Sequence, residues 1–311
     1  MVRLAARRLL LLVPSLVLLT FVVFGAMTTW LGSPATIMLG QDASPAAVRD
    51  LDARYGFDQP VAIQYGHWIG AAIRGNLGRS VSTQQPVAAM LAPAIPVTLE
   101  LAFASILVAL AVSLAASSIT AAPRILQPLV SGLSVIGVTI PNFMLGALLV
   151  YLFSVRLHWL PTTGWSPWSA GAGPHLLHLI MPVLTLSSFY ACSFGLVYRA
   201  EYRATARLLF VRAARAKGLS DTRVSFRHVL PNAVLPVITY TGLSLGQLVG
   251  GAVVTETIFS MPGIGRLLVS SVGSYDYPVI LALTLLILVG VAVANLGADL
   301  LYARVNPQVR V

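Results

Sequence analysis

Residues 212–231 read RAARAKGLSDTRVSFRHVLP, five basic side chains and one acid interrupted by Gly218. On either side lie long apolar runs, roughly His178–Tyr198 and Ala233–Phe259. A helix of about 20 mainly apolar residues crosses the roughly 30 Å of hydrocarbon in a bilayer. Both flanking runs reach that length, so the basic stretch marks a point where the chain leaves the membrane and turns back into it. The same length criterion picks out Leu9–Leu31, Ile95–Ile119, Leu129–Val155 and Pro278–Ala303. Backbone groups in lipid must be satisfied within their own segment, and these runs are too long and continuous for barrel strands. The expected fold is therefore an all-α integral membrane protein with six transmembrane helices.

Composition agrees. Of the 311 residues, 57% are hydrophobic and 10% charged, and the mean hydropathy is +0.84, too apolar for a water-soluble core and shell. The first run follows Arg3, Arg7 and Arg8, which is how a secretory signal begins. Its apolar core from Leu9 to Ala26 is longer than a signal core, and five further spans follow, so it reads as an uncleaved anchor. The expected organisation is a cytoplasmic N-terminus and first span over 1–31, an extracytoplasmic segment over 32–94, and a five-helix core over 95–311 that carries a cytoplasmic loop at 199–232.

Orientation follows from arginine. With six spans and both termini on one side, the segments there hold 14 of the 20 Lys and Arg residues, and the positive-inside rule makes that side the cytoplasm. This bias accounts for most of the net charge of +10, and no nucleic-acid-binding module is visible. Segment 199–232 holds eight basic residues against Glu201 and Asp221, more than orientation requires, which suits either anionic membrane lipid or a protein partner.

On the outer side, SPAAVRDLDARYG predicts a short helix with Ser44 as N-cap and Gly56 as stop. Trp159, Trp165 and Trp168 fall in one outer loop and read as an interfacial aromatic belt. In the same region His158, His175 and His178 are loosely compatible with metal ligation, but no Cys or acid is nearby in sequence, and no metal site is expected. Replacing His175 and His178 together is accordingly expected to leave function intact. Glu100, Glu256 and Asp299 lie near span ends, where a charge costs less than at the midplane. Cys192, the single cysteine, reads as a small packing residue. No nucleophile, base and acid set suggests an enzyme, and no cofactor is expected.

Within the opening stretch, small and apolar residues between arginines favour a helix from Glu201 to Lys217 that stops at Gly218. Ser220 then caps a second helix through Arg227, which is expected to end at Leu230-Pro231 because proline disfavours helical geometry at the residue before it. Two alanines, three residues, glycine, eleven residues and Leu-Pro form a spacing that resembles the EAA loop of bacterial ABC-importer permeases. It falls on Ala213, Ala214, Gly218, Leu230 and Pro231, with Arg212 where the general pattern has Glu. ARAKGLS, from Ala214 to Ser220, is the form common in the dipeptide/oligopeptide/nickel permeases of the DppB/OppB type.

Further stretches are similar to that branch over essentially the whole chain. They are Tyr55–Pro60 with Gln64, Tyr65 and Trp68, Gly75–Ser80, Ile140–Phe143, Pro262–Gly265, and Asn295-Leu296 with Asp299–Tyr302. The tail departs from the family, with Asn306-Pro307-Gln308 in place of Asp-Pro-Arg. The resemblance implies a type I ABC-importer permease fold that transports a small peptide or related solute, or alternatively nickel or another metal chelate, by alternating access. It also implies a second homologous permease, two ATPase subunits and an extracytoplasmic solute-binding protein as partners. Arg212, Ala213, Ala214, Lys217, Gly218, Leu230 and Pro231 are then the residues expected to couple to the ATPase. Independently, a phosphate-binding Gly-Lys-Ser/Thr loop cannot form here, because the one lysine, Lys217, precedes Gly218.

Pro141, Asn142 and Phe143 are candidate pathway residues, since Pro141 frees a carbonyl inside a span, although it reads equally as a structural kink. A secondary transporter or channel is the rival class, expected to show broken spans, midplane charges or an internal repeat. The sequence shows no repeat and no midplane charge.

Overall fold

The computed structural model describes residues 2–30, 34–39, 43–56, 58–118 and 126–305. The expectations for Phe57 and for the tail at Asn306–Gln308 lie outside the described residues. Among the described residues the fold is helical, and the one strand-like pairing is the isolated bridge between Arg79 and Pro86. In chain order the helices are α1 Val2–Trp30, α2 Pro34–Leu39, α3 Pro45–Tyr55, α4 Val61–Ile73, α5 Val87–Ser118, α6 Leu126–Thr139 and α7 Asn142–Leu149. They continue as α8 Ala172–Thr205, α9 Leu209–Ala216, α10 Asp221–Val224, α11 Leu230–Ile258, α12 Ile264–Gly273 and α13 Tyr277–Val305.

Among the described residues, four helical stretches are long and apolar enough to cross a membrane: Val87–Ala116, Ala172–Thr205, Asp221–Ile258 and Tyr277–Ala298. The pair Ser131–Thr139 and Asn142–Arg156 makes a fifth if counted as one span, and α1 contributes a shorter apolar helix over Val13–Thr29. The expected continuous third span is thus broken: its two halves meet at 99° across Ile140-Pro141. Pro141 has no N–H to donate and sits in extended geometry (φ −62°, ψ 136°), so the ladder stops at Ile140 and restarts with Met144 N–H on Pro141 O.

The chain forms two compact units. The first comprises Thr98–Met261 and residues 293–305. Its centre is α8, the most buried of the apolar helices, which packs against α6, α7 and α11. In lipid there is little hydrophobic drive between helices, so close approach and hydrogen bonding do more of the stabilising. Glycine provides the approach. A Cβ on Gly242 would stand 2.6 Å from Ala298 Cβ, and one on Gly251 would stand 2.9 Å from Leu186 Cδ1. Hydroxyls within the helices return their protons to their own backbone, as Thr185 does to Met181 O and Thr241 to Val237 O. Cys192 packs beside Gly137, in keeping with its reading as a small packing residue.

The second unit comprises Val2–Val97 and Pro262–Ala292. Val87, Leu91 and Ala94 of α5 pack with Ile264 of α12 and with Val279, Ala282 and Leu283 of α13. A second cluster joins Phe24, Tyr65, Tyr277 and Leu281, and Tyr65 Oη lies 2.7 Å from Thr20 Oγ1. Helix α3 has the caps its sequence predicts: Ser44 Oγ accepts from Ala47 N–H, and Gly56 adopts φ +71°. Gly75–Ser80, a family-like motif without an evident physical role in the sequence, is a turn and a clasp. Gly75 and Gly78 take positive φ, Arg79 closes the loop on Gln84 O, and Ser80 donates to Asp276, whose own carbonyl receives the Ile280 N–H as α13 begins.

Candidate functional site

The basic stretch forms a helical hairpin, and its arms differ from the sequence expectation in two places. The first arm does not run from Glu201 to Lys217: α8 continues to Thr205, a turn over Ala206–Leu208 redirects the chain, and α9 follows over Leu209–Ala216. Gly218 then turns the chain at φ +82°, with its N–H on Arg215 O and the Leu219 N–H on Ala214 O. Ser220 caps α10 as expected, its Oγ accepting from Arg223 N–H.

The second correction is at Leu230-Pro231, where the helix does not end. A wide turn over Ser225–Val229 carries the Leu230 N–H to Ser225 O, five residues back, and Leu230 remains helical at φ −53°, ψ −50°. Proline is disfavoured in a helix because it lacks a donor and its ring presses on the carbonyl four residues earlier. Widening the preceding turn opens that position, so α10, the wide turn and α11 form a 38-residue helical stretch, Asp221–Ile258.

The hairpin has a small core of its own. Val211 and Ala214 from α9 meet Val224 and Val229 from the second arm, with Tyr202, Ala206 and Leu219 packed around them. Tyr202 Oη and Ser225 Oγ lie 2.6 Å apart, tying the end of α8 to the second arm. Arg215 Nε donates to Asp221 Oδ1 at 3.0 Å, an exposed pair that adds little stability. Of the seven predicted coupling residues, Ala214 is buried and Leu230 half-buried, while Arg212, Ala213, Lys217, Gly218 and Pro231 are exposed. Leu209 and Phe210 are also exposed, so the outer face of α9 presents apolar as well as basic groups.

The predicted pathway residues sit at the break in the third span. Asn142 is half-buried, with its Nδ2 beside Gly251 of α11, and Phe143 is exposed. Helix α7 packs on both α8 and α11, and the close contact at Gly146 is with Thr185, Ile258 and Phe259. The hairpin and the break are therefore connected through shared helices: α11 runs from one to the side of the other. A broken span was expected of the rival secondary-transporter class; here it accompanies an exposed hairpin.

Three groups of residues have roles that sequence reasoning missed. His175 is fully buried, with Nδ1 2.7 Å from Ser166 O and Nε2 2.8 Å from Glu100 Oε1. Trp168 stacks on its ring and Trp165 meets it edge-on, so these two indoles frame a histidine. The acid that His175 lacked in sequence comes from α5, 75 residues away. Among the described residues no group of three or more His, Cys, Asp or Glu is placed to hold a metal ion. Removing His175 would leave the buried Ser166 carbonyl without this donor.

Glu256 is likewise buried, where a span-end position had suggested a cheaper setting, and Thr98 Oγ1 donates to it at 2.5 Å. The third is Asp276. Burial disfavours its charge, but Ser80, Ser82 and the Val81 and Ser82 N–H groups donate to it and hold the carboxyl below its ordinary value. Asp followed by Tyr277-Pro278 before an apolar run is a helix-start signal that points to this residue. For Glu100 with His175 and for Thr98 with Glu256 no local signal exists, since each pair joins distant helices.

Comparison with known proteins places these features in a family. Residues 108–311 match the model of the binding-protein-dependent transport system inner membrane component, and residues 1–102 match the model of its N-terminal region. The chain is 39% identical over 306 residues to the glutathione transport system permease protein GsiC of Escherichia coli (strain K12), covering 98% of this chain and 97% of that protein. It is 38% identical over the same length to the protein of that name in Shigella flexneri serotype 5b. Among solved structures, an amino acid ABC transporter with histidines is similar at a TM-score of 0.55, covering 70% of this chain and 94% of the other. At 13% identity that likeness concerns the fold alone.

Proposed function

The chain belongs to the family of binding-protein-dependent transport system inner membrane components, and from that membership we propose that it is a permease subunit of an ATP-driven ABC importer for small peptides or peptide-like solutes. Its relatives are named for glutathione, a tripeptide, which supports a peptide-like solute. The chain works with partners: an extracytoplasmic solute-binding protein, a second homologous permease and two ATPase subunits. ATP is hydrolysed by those subunits and not by this chain, whose sole lysine lies outside any phosphate-binding loop.

In this reading α1 and the broken pair join the four long spans, giving six, with both termini and the 199–232 hairpin in the cytoplasm of a bacterial cell. The observation that carries the mechanism is the helical stretch Asp221–Ile258, which begins in the exposed hairpin and passes into the membrane. Closure of the ATPase dimer moves the hairpin, where Arg212, Ala213, Lys217 and Gly218 offer the docking face and Ala214, Leu230 and Pro231 hold its shape. Helix α11 transmits that movement to α7, and Pro141, Asn142 and Phe143 bear on the translocation pathway. The two access states differ in these contacts, and the difference in contact free energy is what ATP binding exploits.

The test is reconstitution of the whole transporter in liposomes with its binding protein. Uptake of glutathione or dipeptides that requires ATP, together with solute-stimulated ATP hydrolysis, is the expected result. Uptake of a nickel chelate but no peptide would move the chain to the metal side of its family. Uptake driven by an ion gradient without the ATPase subunits would overturn the proposal.

A further inference from the structure

Two helices of segment 32–94 have opposite compositions. Helix α3 carries Arg49, Asp50, Asp52 and Arg54, the charge content of a helix that faces water. Helix α4, VAIQYGHWIGAAI, carries no Asp, Glu, Lys or Arg, and the first charge after it is the exposed Arg74. One face of α4 packs inward through Val61, Tyr65, Trp68 and Ile69. The opposite face is open. Helical periodicity puts Ala62, Gly66 and Ile73 in one line with Ile63 beside them, and all four are exposed, Ile63 at 47% and Ile73 at 81%. A helix surrounded by water on that side would carry polar residues there. Here the polar pair, Gln64 and His67, stands to one side of the stripe, and Gln64 is engaged by Gln59 O.

Two neighbouring helices of the same unit measure the depth of α4, taking α1 and α13 as spans whose outer ends are Thr29 and Tyr277. Tyr65 Oη lies 2.7 Å from Thr20 Oγ1 and donates to Val17 O at 3.1 Å, and both partners belong to the apolar stretch Val13–Thr29. At about 1.5 Å of rise per residue, Thr20 is about 14 Å short of Thr29. Less deep, Val61 stands beside Gly25 and the Trp68 ring meets Phe24, positions about 6–8 Å short of the same end. On α13, Tyr277 and Leu281 share the cluster of Phe24 and Tyr65, and these two residues bound the first turn of the span, about 6 Å of rise. Both measures put α4 below the span ends, level with the outer leaflet.

We propose that α4 lies in the outer leaflet of the membrane, with lipid acyl chains covering Ala62, Ile63, Gly66 and Ile73 and with Arg74 reaching the phosphate of a lipid headgroup, so that segment 32–94 is not wholly extracytoplasmic. The inference rests on the reading of α1 as a span. Lipid is the occupant its surroundings select. Helix α1, on which α4 packs, leaves Leu18 and Val22 exposed, and exposed apolar side chains of a span face acyl chains. An apolar helix face in the plane of the interface sits about 5–10 Å into the boundary between headgroups and chains, the depth at which Val61 and Trp68 are found. Aromatic side chains such as Tyr65 and Trp68 favour that level, and an arginine at the helix end extends its charge to the headgroups.

The experiment is quenching of a fluorescent label on a single cysteine in the assembled transporter, with Cys192→Ala and cysteine-free partner subunits, in nanodiscs of phosphatidylethanolamine and phosphatidylglycerol. The labelled variants are Ile63→Cys and Ile73→Cys on α4, Arg49→Cys on α3 and Leu18→Cys on α1. One quencher is iodide in the water, and the other is a doxyl group on a lipid acyl chain. The expected result is stronger quenching by doxyl lipid than by iodide at Leu18, Ile63 and Ile73, and the reverse at Arg49. Iodide-dominated quenching at Ile63 and Ile73, with lipid quenching kept at Leu18, overturns the proposal and leaves α1 standing as a span. Labels on α4 that neither quencher reaches show that a partner subunit covers the face, which overturns it as well. Loss of lipid quenching at Leu18 overturns the spanning reading of α1 and this inference with it. Because both α4 positions are exposed, either label decides if the other variant fails to fold.

Discussion

Replacing Gly218 separates backbone geometry from side-chain contact in the hairpin. The residue sits at φ +82°, and a Cβ built there meets no atom within 4 Å. Any loss on substitution therefore comes from the backbone conformation and not from a clash with neighbouring elements. Left-handed geometry costs an ordinary L-residue roughly 1–2 kcal/mol, more for a β-branched one and less for Asn, whose short polar side chain tolerates it. The turn is held by the Gly218 N–H on Arg215 O and the Leu219 N–H on Ala214 O, and the core behind it consists of four buried side chains. A strain of this size is comparable with what so small a cluster contributes, so the two arms should change their relative angle or fray while the membrane spans stay inserted.

The assay is solute uptake and solute-stimulated ATP hydrolysis in the reconstituted transporter for Gly218→Asn, Gly218→Ala and Gly218→Val. Coupling should fall in that order, with Asn near the wild type and Val losing about tenfold or more, as expected for a cost above about 1.4 kcal/mol. Equal loss for Asn and Val would show that bulk at the docking face matters and the turn does not. Normal coupling in Gly218→Val would refute the docking role of the hairpin outright.

Asp276→Asn should lower stability by about 2–4 kcal/mol, since charge-assisted hydrogen bonds contribute roughly 1.5–3 kcal/mol each and are not additive. Because the folded carboxyl is held below its ordinary value, its contribution is present at neutral pH and disappears as the pH falls through the acidic range, so the thermal midpoints of wild type and variant should converge there. Gly242→Leu meets both the Cβ and the backbone Cα of Ala298, an overpacking of about 1–3 kcal/mol or more, and should reduce the folded fraction in membranes. Gly250→Leu, with nothing within 4 Å, should be silent in the same assay. A cysteine at Asp58 should react with an impermeant thiol reagent in intact cells and one at Arg215 should not, and reversed labelling would overturn the proposed orientation.

Much of this protein was legible in its residues because the bilayer imposes a length and a polarity that leave a direct mark. Four of the six membrane-length apolar runs, an arginine-rich hairpin with a glycine turn, and the caps at Ser44 and Ser220 all depend on local chemistry, and the structure keeps them. Pro141 shows the limit of local reading: a proline inside an apolar run is consistent with a kink or a break, and the packing of α7 on α8 and α11 accompanies a break of 99°. Pro231 went the other way, because a wide turn beginning at Ser225 makes room for a ring that helical propensity alone would exclude.

The buried polar residues were the least legible. His175 with Glu100, Glu256 with Thr98, and Asp276 with Ser80 and Ser82 join positions 75 to 196 residues apart. Burying a polar group is costly unless a partner meets it. The partner's identity is a property of which helices come together and at what depth, and no periodicity or spacing along the chain encodes it.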